Sequence, residues 1–253
     1  MARTNRMGIP ESISIARDTA YPYRSGRGMF TTAEWSTHFD DFQGLVTSNV
    51  PAGWSAAIID TGATLTTYTA GNDNGGVVRI TSDGASEGVS IYRPKAVTLS
   101  GKRFFMEARV RTAAVTDSEI AIGLSSVTAT TNPEDLYTTA TDSFISFGVN
   151  DGAATGVLTY DKSNAGPQTD SAVASSAALS NNTWAYLAIA YNGATTAAVG
   201  SVQCYINGNL VISNTVASKI PETIILSPFI GARGGDGAIG TIDFDYVRYS
   251  VER

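Results

Sequence analysis

The pair Asn207-Gly208, which lies between two short strand-like runs, constrains the fold of this chain more than any other feature. Both residue types tolerate a positive φ, and the two-residue turn that joins antiparallel strands requires that conformation at both positions. The flanking runs, Val202–Ile206 and Leu210–Ile212, are rich in residues that favour strands. Two further runs, Trp184–Tyr191 and Gly240–Val251, precede and follow the hairpin. The C-terminal third therefore predicts antiparallel strands.

Strict alternation in the segment Phe104–Arg111 indicates the same architecture. Its apolar residues alternate with a second set that contains Glu107, Arg109 and Arg111. Successive side chains of a strand point to opposite faces, so we expect one face in the core and the other in water. The predicted core residues are Phe104, Met106, Val110, Ile120, Ile122 and Phe244, with Trp184 or Tyr186 and Leu187 or Ile189 from the strand that begins at Trp184.

Turn residues recur at short intervals from Trp35 onward, and no helical period is present, so the chain reads as an all-β sandwich of two packed antiparallel sheets. The remaining predicted strands are Ser36–Phe42, Trp54–Ile59, Val77–Thr81, Gly88–Tyr92, Glu119–Leu124, Ser143–Val149, Val157–Tyr160 and Ile224–Gly231. Long loops are predicted at Ala70–Gly76, Ser125–Thr141 and Asp161–Asn182, with one passable helix start at Asn132-Pro133.

Charge and composition divide the chain into residues 1–34, an extended basic arm, and residues 35–253, the sandwich domain. Residues 1–30 hold five arginines against Glu11 and Asp18, a net charge of +3, so the remainder carries −9 of the total of −6. Proline and glycine interrupt any regular element in the arm. A basic arm on an acidic body predicts an interaction segment.

Several classes of protein fit this composition poorly. Disulfides cannot form the framework because Cys204 is the one cysteine, and its alternation with Val202 and Ile206 predicts a buried thiol. No apolar run approaches the roughly 20 residues that span a bilayer, and the N-terminus resembles no secretory signal. The net charge of −6 argues against direct binding of nucleic acid.

Candidate reactive groups are few. The one histidine, His38, lies near Asp40 and Asp41, and we interpret it as structural because no nucleophile motif accompanies it. Asp243 and Asp245 alternate on the last strand, a pattern that is more often a solvated face or a capping pair than a catalytic dyad. We expect no cofactor. Zinc lacks ligands, whereas Gly71–Gly75 and Asn150–Gly152 offer oxygen ligands for calcium, although such residues are also common in turns.

The Phe104–Arg111 strand, the Trp184 strand, the Tyr205-Ile-Asn-Gly hairpin and the Asp243-Phe-Asp-Tyr ending together resemble concanavalin A-like (laminin-G-like) jelly-roll domains over roughly residues 36–253. The resemblance implies a two-sheet jelly-roll sandwich. Enzymes with this fold include retaining endo-glucanases, whose motif is a strand bearing Glu-x-Asp-x-Glu. Alternation puts its three carboxylates on one face. This chain lacks that motif, so we expect no enzymatic activity.

An N-terminal arm on such a domain, without catalytic carboxylates, is similar to the capsid decoration (cement) proteins of tailed bacteriophages. This resemblance implies a structural protein of the virion surface, made in a bacterial cytoplasm, that binds and stabilises the major capsid protein shell as a homo-oligomer, with a trimer favoured, and contacts neither membrane nor nucleic acid. The arm would supply the binding residues, namely Arg3, Arg6, Ile13, Ile15, Arg17, Tyr21, Tyr23, Arg24, Arg27 and Phe30.

Two alternatives stay open. A carbohydrate-binding (lectin-like) module on a virion or tail fibre would use aromatic residues predicted in loops, such as Tyr68, Tyr137 and Tyr160, to stack on sugar rings. A glycan hydrolase is the third and least favoured class.

Overall fold

A computed structural model describes the protein. The residues that it describes are 35–42, 50–58, 62–68, 76–82, 84, 87–94, 97–126, 143–149, 156–161, 168–171, 178–193, 201–214, 220–221, 223–235 and 241–252. The predicted arm, residues 1–34, and all ten of its proposed binding residues lie outside these ranges, as do the two loops considered for calcium.

Fifteen strands account for nearly all of the described secondary structure. They are β1 Trp35–Asp40, β2 Ser55–Ile58, β3 Thr64–Tyr68, β4 Val77–Thr81, β5 Gly88–Tyr92, β6 Phe104–Thr112, β7 Ser118–Ser125, β8 Phe144–Val149, β9 Gly156–Asp161, β10 Gln168–Ser171, β11 Ala185–Tyr191, β12 Val202–Ile206, β13 Asn209–Asn214, β14 Ser227–Gly234 and β15 Thr241–Glu252. A single 3₁₀ turn, Val115–Asp117, is the one helical element among the described residues. No helix in the described ranges is long and apolar enough to cross a membrane.

The strands form two antiparallel sheets, which confirms the predicted fold class. One sheet has eight strands in the order β13-β12-β11-β6-β15-β4-β3, with β1 pairing beside β4 along β15. The other has seven strands in the order β10-β9-β8-β7-β14-β5-β2. At the centre of each sheet, β6 pairs with β15 and β7 pairs with β14, and the partners in each pair are distant in sequence. The fold therefore depends on long-range pairing.

The core lies between the two sheets and contains the residues that alternation predicts. Phe104, Met106, Val110, Ile120, Ile122 and Phe244 are all fully buried there. The uncertain face of β11 is settled by its register with β6, because Leu187 lies opposite Ala108 and Ile189 opposite Met106. Leu187 and Ile189 therefore both enter the core. Trp184 and Tyr186 do not, and the prediction that one of them would is wrong.

The Asn-Gly hairpin forms as predicted. Asn207 has a φ of 52° and Gly208 a φ of 81°, the paired positive values that this turn requires. The Asn207 side chain also accepts a hydrogen bond from the backbone N–H of Tyr186 at 2.9 Å, which ties the turn to β11. Cys204 is fully buried in the core, as its alternation predicts.

Three segments differ from the sequence prediction. Strands β3 and β10 are not among the predicted strands, since Thr64–Tyr68 and Gln168–Ser171 have little apolar alternation. Each is a strand because a neighbour, β4 or β9, supplies the ladder of backbone hydrogen bonds. The predicted strand Ile224–Gly231 continues further, because the run from Gly231 to Gly234 belongs to β14 and pairs with β7 throughout and with β5 as far as Arg233.

Candidate functional site

The seven-stranded sheet carries a row of very small residues on the side that points away from the core. Adjacent strands place Gly148 opposite Ala121, Ala121 opposite Gly231, and Gly231 opposite Ser90. The row alternates along each strand with core residues such as Ile120 and Ile230, so its own side chains point outward. It crosses four strands, about 14 Å, without a bulky side chain.

Aromatic residues flank this row on one side. Phe229 lies opposite Gly123 on β7 and Tyr92 on β5, two residues along from the row. Phe229 packs with Ala121 and Phe144 in an apolar cluster separate from the main core, and Tyr92 packs against that cluster. Phe229 and Phe144 are buried, whereas Tyr92 is partly exposed. Tyr92 is therefore the aromatic ring that a ligand can reach here among the described residues.

A buried ion pair flanks the row on the other side. Glu119 on β7 lies opposite Arg233 on β14, and Arg233 donates to both carboxylate oxygens, with Nη2 at 2.5 Å from Oε1. Gly88 lies on the far side of Arg233, and a Cβ at Gly88 would stand 2.4 Å from the Arg233 Cβ. Only glycine permits this approach, so β5 helps to hold the guanidinium against Glu119. Glu119 is 3 % exposed and Arg233 is 8 % exposed.

We call this side of the sheet the seven-strand outer face. It consists of Phe144, Ser146, Gly148, Glu119, Ala121, Gly123, Phe229, Gly231, Arg233, Ser90 and Tyr92. The row of small residues lies between aromatic rings and a few fixed polar groups, a composition that suits a small polar ligand, and Tyr92 alone among these eleven residues is partly exposed. Within the described residues it offers one carboxylate, whereas retaining glycoside hydrolysis uses two about 5 Å apart.

The two aspartates of the last strand lie on the opposite sheet. Asp243 accepts hydrogen bonds from Arg79, with Nε at 2.7 Å, and from Arg111, with Nη2 at 2.6 Å. Asp245 accepts one from Arg109 at 2.7 Å. Each carboxylate is thus held by guanidinium groups of neighbouring strands. They do not form a catalytic pair, and the interpretation of a solvated face is wrong for Asp243, which is 2 % exposed.

Trp184 lies beside these arginines and not in the core. The guanidinium carbons of Arg109 and Arg111 each lie 4.5 Å from the centre of its ring. A cation over the face of a tryptophan is attracted by the ring's quadrupole. Trp184 therefore helps to align the two arginines with Asp245 and Asp243.

Glu107 belongs to the same side of the eight-stranded sheet and is also buried. The Tyr246 hydroxyl donates to its Oε1 at 2.7 Å, and Arg248 Nη2 lies 3.3 Å from the same atom. The Arg248 guanidinium in turn lies 5.3 Å from the centre of the Phe105 ring. The prediction that this side of β6 faces water is wrong at Phe105 and Glu107, since neither is more than 1 % exposed.

The single histidine takes part in a polar cluster between the sheets. Arg93 Nη1 donates to His38 Nε2, and Asp40 Oδ2 accepts from Trp54 Nε1 at 2.8 Å. Burial raises the pKa of Asp40, but hydrogen bonds from His38, Trp54 and the backbone N–H of Phe42 outweigh it and leave the pKa below its ordinary value. The cluster fastens β1 to the segment after β5, which agrees with a structural role for His38.

The predicted sugar-stacking residues are not loop residues where the structure describes them. Tyr68 ends β3 and Tyr160 lies in β9, while Tyr137 falls outside the described ranges. Sequence reasoning did not single out Glu119, Arg233 or Tyr92. Glu119 could have been noticed, because it alternates with Ile120 and Ile122 on a predicted strand and therefore faces outward. No group of three metal-ligating side chains occurs within the described part of the chain.

Comparison with known proteins gives the family. The family model of the concanavalin A-like lectin/glucanases superfamily matches residues 83–245, more than half of the chain, so the protein belongs to that superfamily. Comparison with curated proteins gives no match by sequence.

Solved structures share the fold at low sequence identity. A family 16 glycoside hydrolase of Bacteroides ovatus, solved with a G4G4G3G product, aligns at a TM-score of 0.55 and 10% identity, covering 83% of this chain and 98% of that one. Peanut lectin aligns at 0.55 and 10% identity, covering 87% and 98%. The Crh5 transglycosylase aligns at 0.53 and 15% identity, covering 85% and 83%. At these identities the likeness shows the fold alone.

These comparisons correct two sequence-based expectations. The exclusion of enzymatic activity does not hold, because structures that share the fold include family 16 glycoside hydrolases and a transglycosylase. The comparisons support the carbohydrate-binding alternative better than a capsid decoration protein. The domain boundary at residue 35, the capsid partner, the trimer and the virion location stay predictions.

Proposed function

We propose that the protein is a carbohydrate-binding, lectin-like domain. The observation that carries the proposal is its membership of the concanavalin A-like lectin/glucanases superfamily, together with an outer sheet face that has the layout of a small polar-ligand site. Among the structures with this fold are peanut lectin and a carbohydrate recognition domain, that of Emp46p.

The ligand would bind on the seven-strand outer face. Tyr92 is partly exposed at the β5 end of that face and next to the small-residue row, since Ser90 of the row is two residues away on the same side of β5. A sugar ring stacked on Tyr92 would meet no bulky side chain at Ser90 or Gly231. Glu119 and Arg233 are buried and bound to each other. They would therefore make this part of the seven-strand outer face polar, and ligand binding would not have to remove water from them.

Binding of the full chain to a glycan array, followed by calorimetry on the best ligand, tests the proposal. Tyr92→Ala should weaken the affinity about tenfold, because the loss of one stacking platform is worth about 1.4 kcal/mol. Tyr186→Ala is the matched control, since Tyr186 is a partly exposed tyrosine on the outer side of the opposite sheet. It should bind as the wild type does.

Three results would contradict the proposal. If the protein binds none of the glycans tested, the proposed function is wrong. If Tyr92→Ala and Tyr186→Ala weaken the affinity for the glycan equally, the proposed site is wrong. Release of reducing sugar from the bound glycan would identify the chain as a glycan-cleaving enzyme and not a binding domain, and Glu119→Gln would then be the first variant to assay.

A further inference from the structure

The outer side of the eight-stranded sheet carries a buried apolar cluster that the sandwich itself does not explain. Phe105, Ala188, Ala190 and Tyr205 form this cluster, which is separate from the main core. They come from β6, β11 and β12, and each alternates with core residues such as Met106 and Ile189. Their side chains therefore point away from the core, and yet none is more than 1 % exposed. We call them the outer cluster.

Charged neighbours of the outer cluster are buried to the same degree. Glu107 and Arg248 are each 1 % exposed, and Arg248 stacks on Phe105 of the cluster. Burial also raises the pKa of the Tyr205 phenol above its ordinary value. Taking an ion pair out of water costs several kcal/mol per ion, so the outer side of a sheet does not lose its water unless a further layer lies over it.

The described strands do not supply that layer. All fifteen belong to one of the two sheets, and the seven-stranded sheet packs on the core side. The burial is that of the single chain, so the layer must come from a part of the chain outside the described ranges.

Connectivity singles out residues 1–34 among the remaining parts of the chain. Apart from 69–75, 194–200 and the terminal Arg253, every other internal segment outside the described ranges has at least one end in the seven-stranded sheet. Segments 69–75 and 194–200 join neighbouring strands of the eight-stranded sheet and have seven residues each, about a fifth of the length of residues 1–34.

Residues 1–34, by contrast, run directly into Trp35, the first residue of β1, and β1 pairs with β15 of this same sheet. From β1 to β12 is four strand spacings, about 19 Å, and 34 extended residues reach about 120 Å at most. The segment also contains the apolar residues that such a surface would accept, including Ile13, Ile15 and Tyr21.

We propose that residues 1–34 dock on the outer cluster of their own chain. The outer cluster is then an intramolecular docking surface, and the arm covers the eight-stranded sheet before it meets any partner. This differs from the sequence-based expectation of a strap on another subunit, because a partner that binds the arm must first displace it from Phe105 and Tyr205.

Limited digestion of the full chain with trypsin tests this docking, because Arg17, Arg24 and Arg27 are cleavage sites within the arm. Cleavage there, followed by mass spectrometry, should be at least tenfold slower than in a synthetic peptide of residues 1–34. Ala190→Glu places a charge in the outer cluster and should restore cleavage to near the rate of the peptide. Ala121→Glu is the matched control, since Ala121 is an equally buried alanine on the outer side of the other sheet, and it should leave the arm protected.

If Ala190→Glu fails to fold, hydrogen exchange of the wild-type chain still tests the docking, because it needs no variant. The arm amides should exchange at least tenfold more slowly than those of the peptide, at a rate that does not change with protein concentration. Cleavage and exchange as fast as in the peptide would overturn the proposal. So would equal release of the arm by both variants. Protection that disappears on dilution would overturn it as well, and would assign the covering layer to a second copy of the chain.

Discussion

Breaking the Glu119–Arg233 pair should cost far more stability than breaking an exposed pair on the same protein. Arg233→Met removes the guanidinium and leaves the Glu119 carboxylate, which is 3 % exposed, without its bidentate partner. Removal of one member of a buried pair typically costs about 3–5 kcal/mol, because the remaining charge is desolvated and uncompensated. We expect a loss of about 3 kcal/mol in the free energy of unfolding.

The measurement is urea denaturation at 25 °C, with the midpoint and the slope m fitted for each variant. An unchanged m shows that the loss belongs to the folded state and not to a more compact unfolded chain. Arg103→Met is the matched control. Arg103 donates to Glu252 at 2.6 Å with the same bidentate chemistry, but both side chains are partly exposed, so the substitution should cost about 1 kcal/mol or less.

A double variant separates charge from packing. Glu119→Leu combined with Arg233→Met removes both charges and fills much of the same volume, so it should recover most of the loss, because buried pairs exchanged for apolar residues are often neutral. If Arg233→Met costs no more than Arg103→Met, the pair is not desolvated as described. If the double variant is as unstable as the single one, the cost comes from packing, and the electrostatic reasoning fails.

Two further predictions concern the carboxylates that the site does not use. Asp243→Asn should cost roughly 2–4 kcal/mol in the same denaturation assay, because two arginines lose their shared counter-charge, while Asp245→Asn, with one arginine partner, should cost less; an equal effect of the two would contradict the network. Because the pKa of Asp40 in the folded protein lies below its ordinary value of about 3.9, its ionised form stabilises the fold above about pH 4 and this contribution is lost as the pH falls further. Asp40→Asn should therefore flatten the acid limb of the stability curve between about pH 5 and 2, and an unchanged limb would refute the assignment.

The sequence predicts the parts of this fold that are set by local pattern. Phe104–Thr112 is a strand with the predicted inward set because its alternation is strict, and Asn207-Gly208 turns where predicted because few residue pairs accept positive φ twice. The polar strand Gln168–Ser171 could not be found in this way. Its side chains carry no period, and the ladder that β9 provides makes it a strand.

The candidate site was missed for a related reason. Its small-residue row is assembled from four strands, and no local pattern reveals that Gly148, Ala121 and Gly231 lie side by side. The predicted strand ends at Gly231, since the glycines that follow it weaken strands in general. In the structure Gly231 lies within β14, where it adds no side chain to the row.

The exposure of the outer faces is the quantity that alternation could not supply. An alternation of period two shows which residues share a face, as it does for Phe105, Glu107 and Arg109. It does not show that this face is exposed to solvent, which is a separate assumption. The assumption fails when the outward set itself contains rings and matched charges, as at Phe105, Glu107 and Arg248. Aromatic residues and arginine are enriched in covered surfaces, and Phe105 and Arg248 of the outward set are residues of these types. That composition was legible in the sequence of β6 and β15, and it predicts a covered sheet better than a wet one.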